Sequence, residues 1–73
     1  MRKALITGGN WFLGALLTQE LIMHGVEVIV ADMEGCNNNV PNEARFVAFD
    51  MREFNSLVEK VKDRDIDVMY HMA

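Results

Sequence analysis

Two kinds of residue in this chain are placed to do chemistry: a glycine-bearing turn, and aspartates that close apolar runs. The turn reads Thr7-Gly8-Gly9-Asn10-Trp11-Phe12-Leu13-Gly14 and lies between a short apolar run and a segment of helical spacing. At such a bend Gly8 makes the tight turn, and the amides that open the helix point at a phosphate, helped by the helix dipole. Gly14 lets the helix pack closely on the strand layer. An ordinary strand-to-helix turn with incidental glycines is the competing reading, and the strand and helix on either side count against it. Asp32 closes the second apolar run, 24 residues after Gly8. A carboxylate there accepts hydrogen bonds from the ribose hydroxyls of a dinucleotide and repels a 2′-phosphate, which favours NAD over NADP. A solvated aspartate at a strand end is the plainer alternative.

Other side chains carry weaker signals. His24, His71 and Cys36 fall on different segments without zinc spacing, so no metal site is expected. Ser56 has no histidine near it in sequence to activate it. The six methionines are dispersed, as core filler is.

The elements that must position these residues are legible in the apolar pattern. Ala4–Thr7 is a short apolar run stopped by glycine, and it reads as a buried strand. From Phe12 to His24 the residues Leu13, Leu16, Leu17 and Leu21 recur at helical spacing, and Gly25 stands where a left-handed helix stop belongs. Val26–Ala31 is a β-branched second strand. Met33–Glu43, with Gly35, three asparagines in a row and Pro41, is a loop by composition. Ala44–Phe49 is a third strand ending at Asp50. Phe54, Leu57, Val58 and Val61 mark an amphipathic helix whose outer face is Glu53, Glu59, Lys60 and Lys62. Ile66–Met72 is a last strand.

Apolar strands alternating with helices imply a parallel sheet with right-handed crossovers. The expected class is therefore α/β: a truncated Rossmann-type three-layer fold with strand order 3-2-1-4 and a helix on each face. The whole chain, 1–73, reads as part of one nucleotide-binding domain, the β-α-β-loop-β-α-β front half.

Composition narrows the partners. The chain is 51% hydrophobic and 25% charged, with a net charge of −4 and seven basic residues that do not cluster. A nucleic-acid partner would need a basic stripe, so none is expected. No apolar stretch approaches the roughly 20 residues that span a bilayer. Arg2 and Lys3 run straight into a strand, so no signal peptide is expected. A single cysteine, Cys36, cannot form an intrachain disulfide, and the expected setting is cytoplasmic. A chain this short buries only about 60% of the surface it exposes when unfolded, so association is expected to matter.

Taken together, TGGNWFLG, the VIVAD end of the second strand, FDMRE and DVMYHMA resemble the extended short-chain dehydrogenase/reductases, the NAD-dependent epimerase/dehydratase family. The likeness runs over essentially all 73 residues and stops a little under halfway through that family's nucleotide-binding domain. The family's first turn, T-G-x-x-G-x-x-G, maps onto Thr7, Gly8, position 11 and Gly14. The resemblance thus implies a cofactor site built from Gly8, Asn10, Trp11, Phe12, Leu13 and Gly14 at the diphosphate and Asp32 at the ribose. It places Asp50, with Met51 beside it, at the adenine. The H-x-A ending of the fourth strand maps onto His71 and Ala73, whose backbone passes near the cofactor ribose. Asp50 reads equally well as a cap for the following helix, and His71 reads better as a packed, hydrogen-bonded strand histidine than as a catalytic one.

Two departures from the family pattern stand out. Trp11 occupies the middle-glycine position, where the diphosphate lies almost against the backbone. The family's catalytic tyrosine, with a lysine four residues later, has no counterpart: the one tyrosine is Tyr70, within the last strand. The expectation is the NAD-binding N-terminal portion of an epimerase/dehydratase-like protein, with no catalytic residues and no activity alone. Two alternatives stand beside it: a degenerate Rossmann fragment that dimerises without binding a dinucleotide, and a non-catalytic dinucleotide-binding module. In the family fold the last strand is internal, so a homodimer through the Ile66–Met72 edge is also expected.

Overall fold

A computed structural model describes residues 2–8, 11–62 and 64–72. Its elements are β1 (Lys3–Thr7), α1 (Phe12–Met23), β2 (Glu27–Asp32), β3 (Arg45–Ala48), a single 3-10 turn (Met51–Glu53), α2 (Phe54–Val61) and β4 (Val68–His71). The four strands form one parallel sheet in the order β3-β2-β1-β4. This is the expected order, and the chain reverses its direction of travel across the sheet between β1 and β4.

The sheet is buried on both faces at its centre because β1 and β2 are apolar at every inner position. Alternate residues of each strand go to opposite layers. Leu5, Ile29 and Ala31 pack with Phe49, Leu57 and Val61 against α2. Ile6, Val28 and Val30 pack with Leu17, Leu21, Ile22 and Tyr70 on the α1 side. One helix thus covers each face, which completes the three layers.

α1 ends as Gly25 foretold. Val26 N–H donates to the Leu21 carbonyl at 3.0 Å and Gly25 N–H to the Ile22 carbonyl at 3.0 Å, closing the last turn with Gly25 at φ 79°. That pairing satisfies the orphan carbonyls of the helix end and needs a left-handed residue at position 25. No atom would lie within 4 Å of a Cβ added there, so any cost of a side chain is backbone strain alone. Gly25→Ala is expected to cost about 1–2 kcal/mol, read as a lower urea midpoint with an unchanged slope.

Two sequence expectations are corrected. The outer strands are shorter than expected, Arg45–Ala48 in place of Ala44–Phe49 and Val68–His71 in place of Ile66–Met72. Each lies at the margin of the sheet, where one side of the ladder is missing. The inner face of α1 is also different: Leu13 and Leu16 are 65% and 45% exposed, while Gly14 and Thr18 are buried. The helix is apolar almost all round, so periodicity alone does not choose its inner face. Small residues decide, because Gly14 and Thr18 allow the helix backbone to approach the sheet. β4 is largely exposed although it is apolar, since β1 is its only neighbour among the described strands, which agrees with its reading as an edge.

Candidate nucleotide-binding site

The register brings the carboxyl ends of all the strands to one edge. Thr7 lies beside Ala31 on one side and His71 on the other, and Asp32 lies beside Ala48. Each residue that ends a strand therefore reaches the same rim, at the point where the strand order reverses. Open α/β sheets bind ligands in the crevice at that place.

The turn leaving β1 has the geometry its glycine predicts. Gly8 is buried, has φ 74°, and donates to the Ala31 carbonyl at 2.9 Å. Its own carbonyl accepts from Trp11 N–H at 3.2 Å, which folds the chain back toward α1. Trp11 is the N-cap residue of α1, with φ −78° and ψ 164°, and its side chain makes no capping bond. No acidic residue stands in the first turn of the helix. The opening amides of Phe12 and Leu13 therefore lack a side-chain acceptor from the cap, and the positive end of the dipole meets no neighbouring carboxylate from its own first turn. Trp11, Phe12 and Leu13 are 69%, 77% and 65% exposed, so the indole stands in solvent beside those amides. Gly14 is buried, as close helix–sheet packing requires. Gly9, Asn10 and Ala73 lie outside the described residues.

Asp32 ends β2 almost fully buried, at 9% exposure, with its Oδ1 accepting from Met33 N–H at 2.8 Å. A carboxylate held by the backbone of its own turn is fixed in direction, which suits an acceptor for vicinal hydroxyls. Asp50 is held just as firmly. Its Oδ1 accepts from Arg52 N–H at 2.9 Å, and Arg52 Nε and Nη2 grip both of its oxygens at 2.8–3.3 Å. The capping role foreseen for Asp50 is therefore realised, on the 3-10 turn Met51–Glu53 in place of α2 itself. The guanidinium and the Arg52 amide pull the Asp50 carboxyl down to about 2.

That shift has a pH signature. The folded carboxyl holds its proton less tightly than an unfolded aspartate, which titrates near about 3.9. Its contribution is complete above that range and is lost as pH falls through about 2. Arg52→Ala is expected to return the Asp50 titration to the usual carboxylate range. A side-chain carbon NMR titration would read this directly, and an unmoved titration in the variant would show that Arg52 is not the cause.

His71 is part of the wall and is engaged. Its Nδ1 lies 2.7 Å from the Thr7 hydroxyl, across the β1–β4 pair. Thr7 is fully buried, so this bond satisfies a hydroxyl at the base of the glycine turn. His71 is thus hydrogen-bonded, as its reading as a strand histidine expects, but it is exposed rather than packed. Tyr70 packs on the α1 side of the sheet, away from the α2 layer.

Sequence reasoning missed one feature. A cavity of about 360 Å³ lies at the β2–β3 end of the rim, lined by Met33, Glu34, Ala48, Phe49, Asp50 and Lys60. It falls within the roughly 300–1,000 Å³ range of small-molecule pockets. Asp50 was foreseen there, but Lys60 was read only as a helix-surface lysine, and its reach to the Ala48 carbonyl carried no local signal. Among the described residues no group of His, Cys, Asp or Glu is gathered to hold a metal ion. No helix among them is long and apolar enough to cross a membrane.

A parallel 3-2-1-4 sheet, a glycine turn into a helix N-terminus and an aspartate ending β2 together define a Rossmann-type nucleotide-binding unit. The family model of the NAD dependent epimerase/dehydratase family matches residues 4–73, and the chain belongs to that family. A Methanocaldococcus jannaschii protein, provisionally named a UDP-glucose 4-epimerase, is 37% identical over 71 residues, covering 94% of this chain and 23% of that protein. Short-chain dehydrogenase/reductase family 42E member 1 of Homo sapiens is 30% identical over 71 residues, covering 97% of this chain and 18% of that one. Among solved structures, the Thermus thermophilus UDP-glucose 4-epimerase in complex with NAD superposes with a TM-score of 0.85 at 27% identity, covering 97% of this chain and 24% of that chain. The Brucella ovis UDP-glucose 4-epimerase in complex with NAD gives a TM-score of 0.88 at 24% identity, over 100% and 23%. The chain thus spans about a fifth to a quarter of its relatives' length and corresponds to their N-terminal, nucleotide-binding region.

Proposed function

We propose that this chain binds NAD at the carboxyl rim of its sheet and carries out no turnover alone. The observation that carries the reading is Asp32: a buried, directed carboxylate ending β2, on the same rim as the Gly8 turn and the uncapped α1 N-terminus. In this reading the diphosphate faces the amides opening α1, from Gly8 through Asn10, Trp11, Phe12 and Leu13 to Gly14. Asp32 takes the ribose hydroxyls, and Asp50, Met51 and the Ala73 backbone border the adenosine. A 2′-phosphate would face the Asp32 charge, so NAD is preferred to NADP. Belonging to a family with solved relatives in complex with NAD supports the same cofactor. Tyr70, the one tyrosine of the sequence, packs on the α1 side of the sheet, which supports a role for these residues in holding the cofactor rather than in turnover. A reducing, cytoplasmic setting suits the free thiol of Cys36.

Calorimetric titration with NAD and NADP tests the reading. NAD should bind more tightly, and Asp32→Ala should reduce the difference by about tenfold or more. Equal affinity for both cofactors in the wild type, or no binding of either to folded protein, would remove it. Purified chain supplied with NAD and a nucleotide sugar should form neither NADH nor epimer.

A second reading has one observation in its favour. Trp11 places an exposed indole where the family's turn has its middle glycine, and a chain that dimerises without binding a dinucleotide would tolerate that. The same titration separates the two.

A further inference from the structure

We propose that the Lys60 ammonium belongs to the cofactor site and donates a hydrogen bond to a ring nitrogen of the adenine. This rests on the NAD reading above. The cavity at the β2–β3 end of the rim is lined by Met33, Glu34, Ala48, Phe49, Asp50 and Lys60. Among the described residues Lys60 is the one cation of that lining, set against the carboxylates of Glu34 and Asp50. Apolar walls with a few converging polar groups are the usual make-up of a small-molecule site.

Lys60 reaches the cavity through its place on α2. It follows Leu57 by one turn and precedes Val61, the two residues that α2 buries against the sheet. Its stem thus starts beside the packed stripe, and helix side chains lean toward the helix N-terminus. For α2 that end adjoins the Asp50 turn at the carboxyl rim. The ammonium donates to the Ala48 carbonyl, which fixes a group that otherwise swings on a flexible stem. An ammonium has three N–H donors, so two remain for an occupant of the cavity.

The order of the strands decides which part of the cofactor arrives there. With the diphosphate at the α1 N-terminus and the ribose at Asp32, the next place along the rim lies over the end of β3. That place falls to the base. Asp50 alone does not fix it. A carboxylate offers about four lone-pair sites, and the Arg52 amide, Nε and Nη2 take three of them at 2.8–3.1 Å. The remaining site accepts one bond from the adenine amino group, about which the ring is free to turn. A second bond from Lys60 stops that rotation. Adenine has a ring-nitrogen acceptor beside its amino donor, so a carboxylate and an ammonium on one wall complement that edge.

Calorimetric titration with ADP, 1-deaza-ADP and 7-deaza-ADP tests the contact, since each analogue lacks one ring nitrogen next to the amino group. The wild type should bind one analogue about tenfold more weakly than ADP. Lys60→Met should abolish most of that preference, with an unchanged urea midpoint. Lys62→Met removes the same charge from the end of the same helix, outside this cavity, and should keep the preference. A wild type that binds ADP and both analogues alike overturns the proposal and leaves the NAD site standing. So does a preference that survives in Lys60→Met, or an equal weakening of ADP in both lysine variants with the preference intact, the mark of charge acting at a distance. Failure of the folded wild type to bind either NAD or ADP removes the proposal together with the reading beneath it.

Discussion

Trp11→Gly is expected to tighten NAD binding by about tenfold or more, equivalent to about 1.4 kcal/mol. The backbone at Trp11 sits at φ −78° and ψ 164°, a conformation any residue adopts. Glycine is therefore not required there by strain, and the substitution relieves none. Its effect must come from volume: the indole is 69% exposed beside the amides that would meet the diphosphate, and removing it lets the phosphates approach the helix end. The helix should not suffer, because glycine is itself a serviceable N-cap and Trp11 offers no side-chain cap to lose. Calorimetric titration of both proteins reads the difference, with Trp11→Ala falling between them. Trp11 is the only tryptophan, so its emission also reports arrival of the ligand in the wild type. If the wild type binds NAD at micromolar levels and the glycine variant binds no better, the indole does not obstruct the phosphate site.

The largest loss of stability is expected from Leu57→Ala. Leu57 is 1% exposed and joins Leu5, Ile29, Ala31, Phe49 and Val61 in the layer beneath α2. Leucine-to-alanine changes at such sites cost about 2–5 kcal/mol. A chain of 73 residues has roughly 4–11 kcal/mol in total, so this one change removes a large share of it. α2 is only eight residues long, too short to persist without its packing. Urea denaturation should show a markedly lower midpoint, or an unfolded chain at 25 °C. Leu16→Ala, on the 45% exposed face of α1, should change stability by about 0.5 kcal/mol or less. Equal losses in the two variants would mean that the layer beneath α2 is not what holds the domain.

The sequence was informative where a local rule and a long-range demand agree. Gly8 and Gly25 mark positive-φ positions that other residues adopt only under strain, and both are at positive φ. The runs through Leu5-Ile6 and Val28-Ile29-Val30 are apolar at consecutive positions, which only a strand covered on both faces tolerates. Once two such strands and two helices alternate, the handedness of the crossovers leaves the 3-2-1-4 order as the natural outcome. Asp32 was legible for the same reason: its place after the second strand carries meaning without any knowledge of contacts.

What the chain does not encode locally is which of several apolar surfaces is covered. Leu13, Leu16, Leu17 and Leu21 are chemically alike, yet Leu13 and Leu16 are exposed while Leu17 and Leu21 pack on the sheet. The small residues Gly14 and Thr18 set the contact line, and only the packed helix shows it. The Arg52 grip on Asp50, the reach of Lys60 to the Ala48 carbonyl and the bond between His71 and Thr7 likewise escaped the pattern. Arg52 is close to Asp50 in sequence, but its rotamer is not written there. The other two join residues 12 and 64 positions apart, whose meeting depends on strand register. Period and turn chemistry are properties of a few consecutive residues, so the sequence alone determined the elements, their order and the phosphate-facing turn. Register and facing are properties of whole elements set against one another, so only the tertiary structure decided which carboxylates are held, which carbonyl Lys60 reaches and which apolar face of α1 stays open.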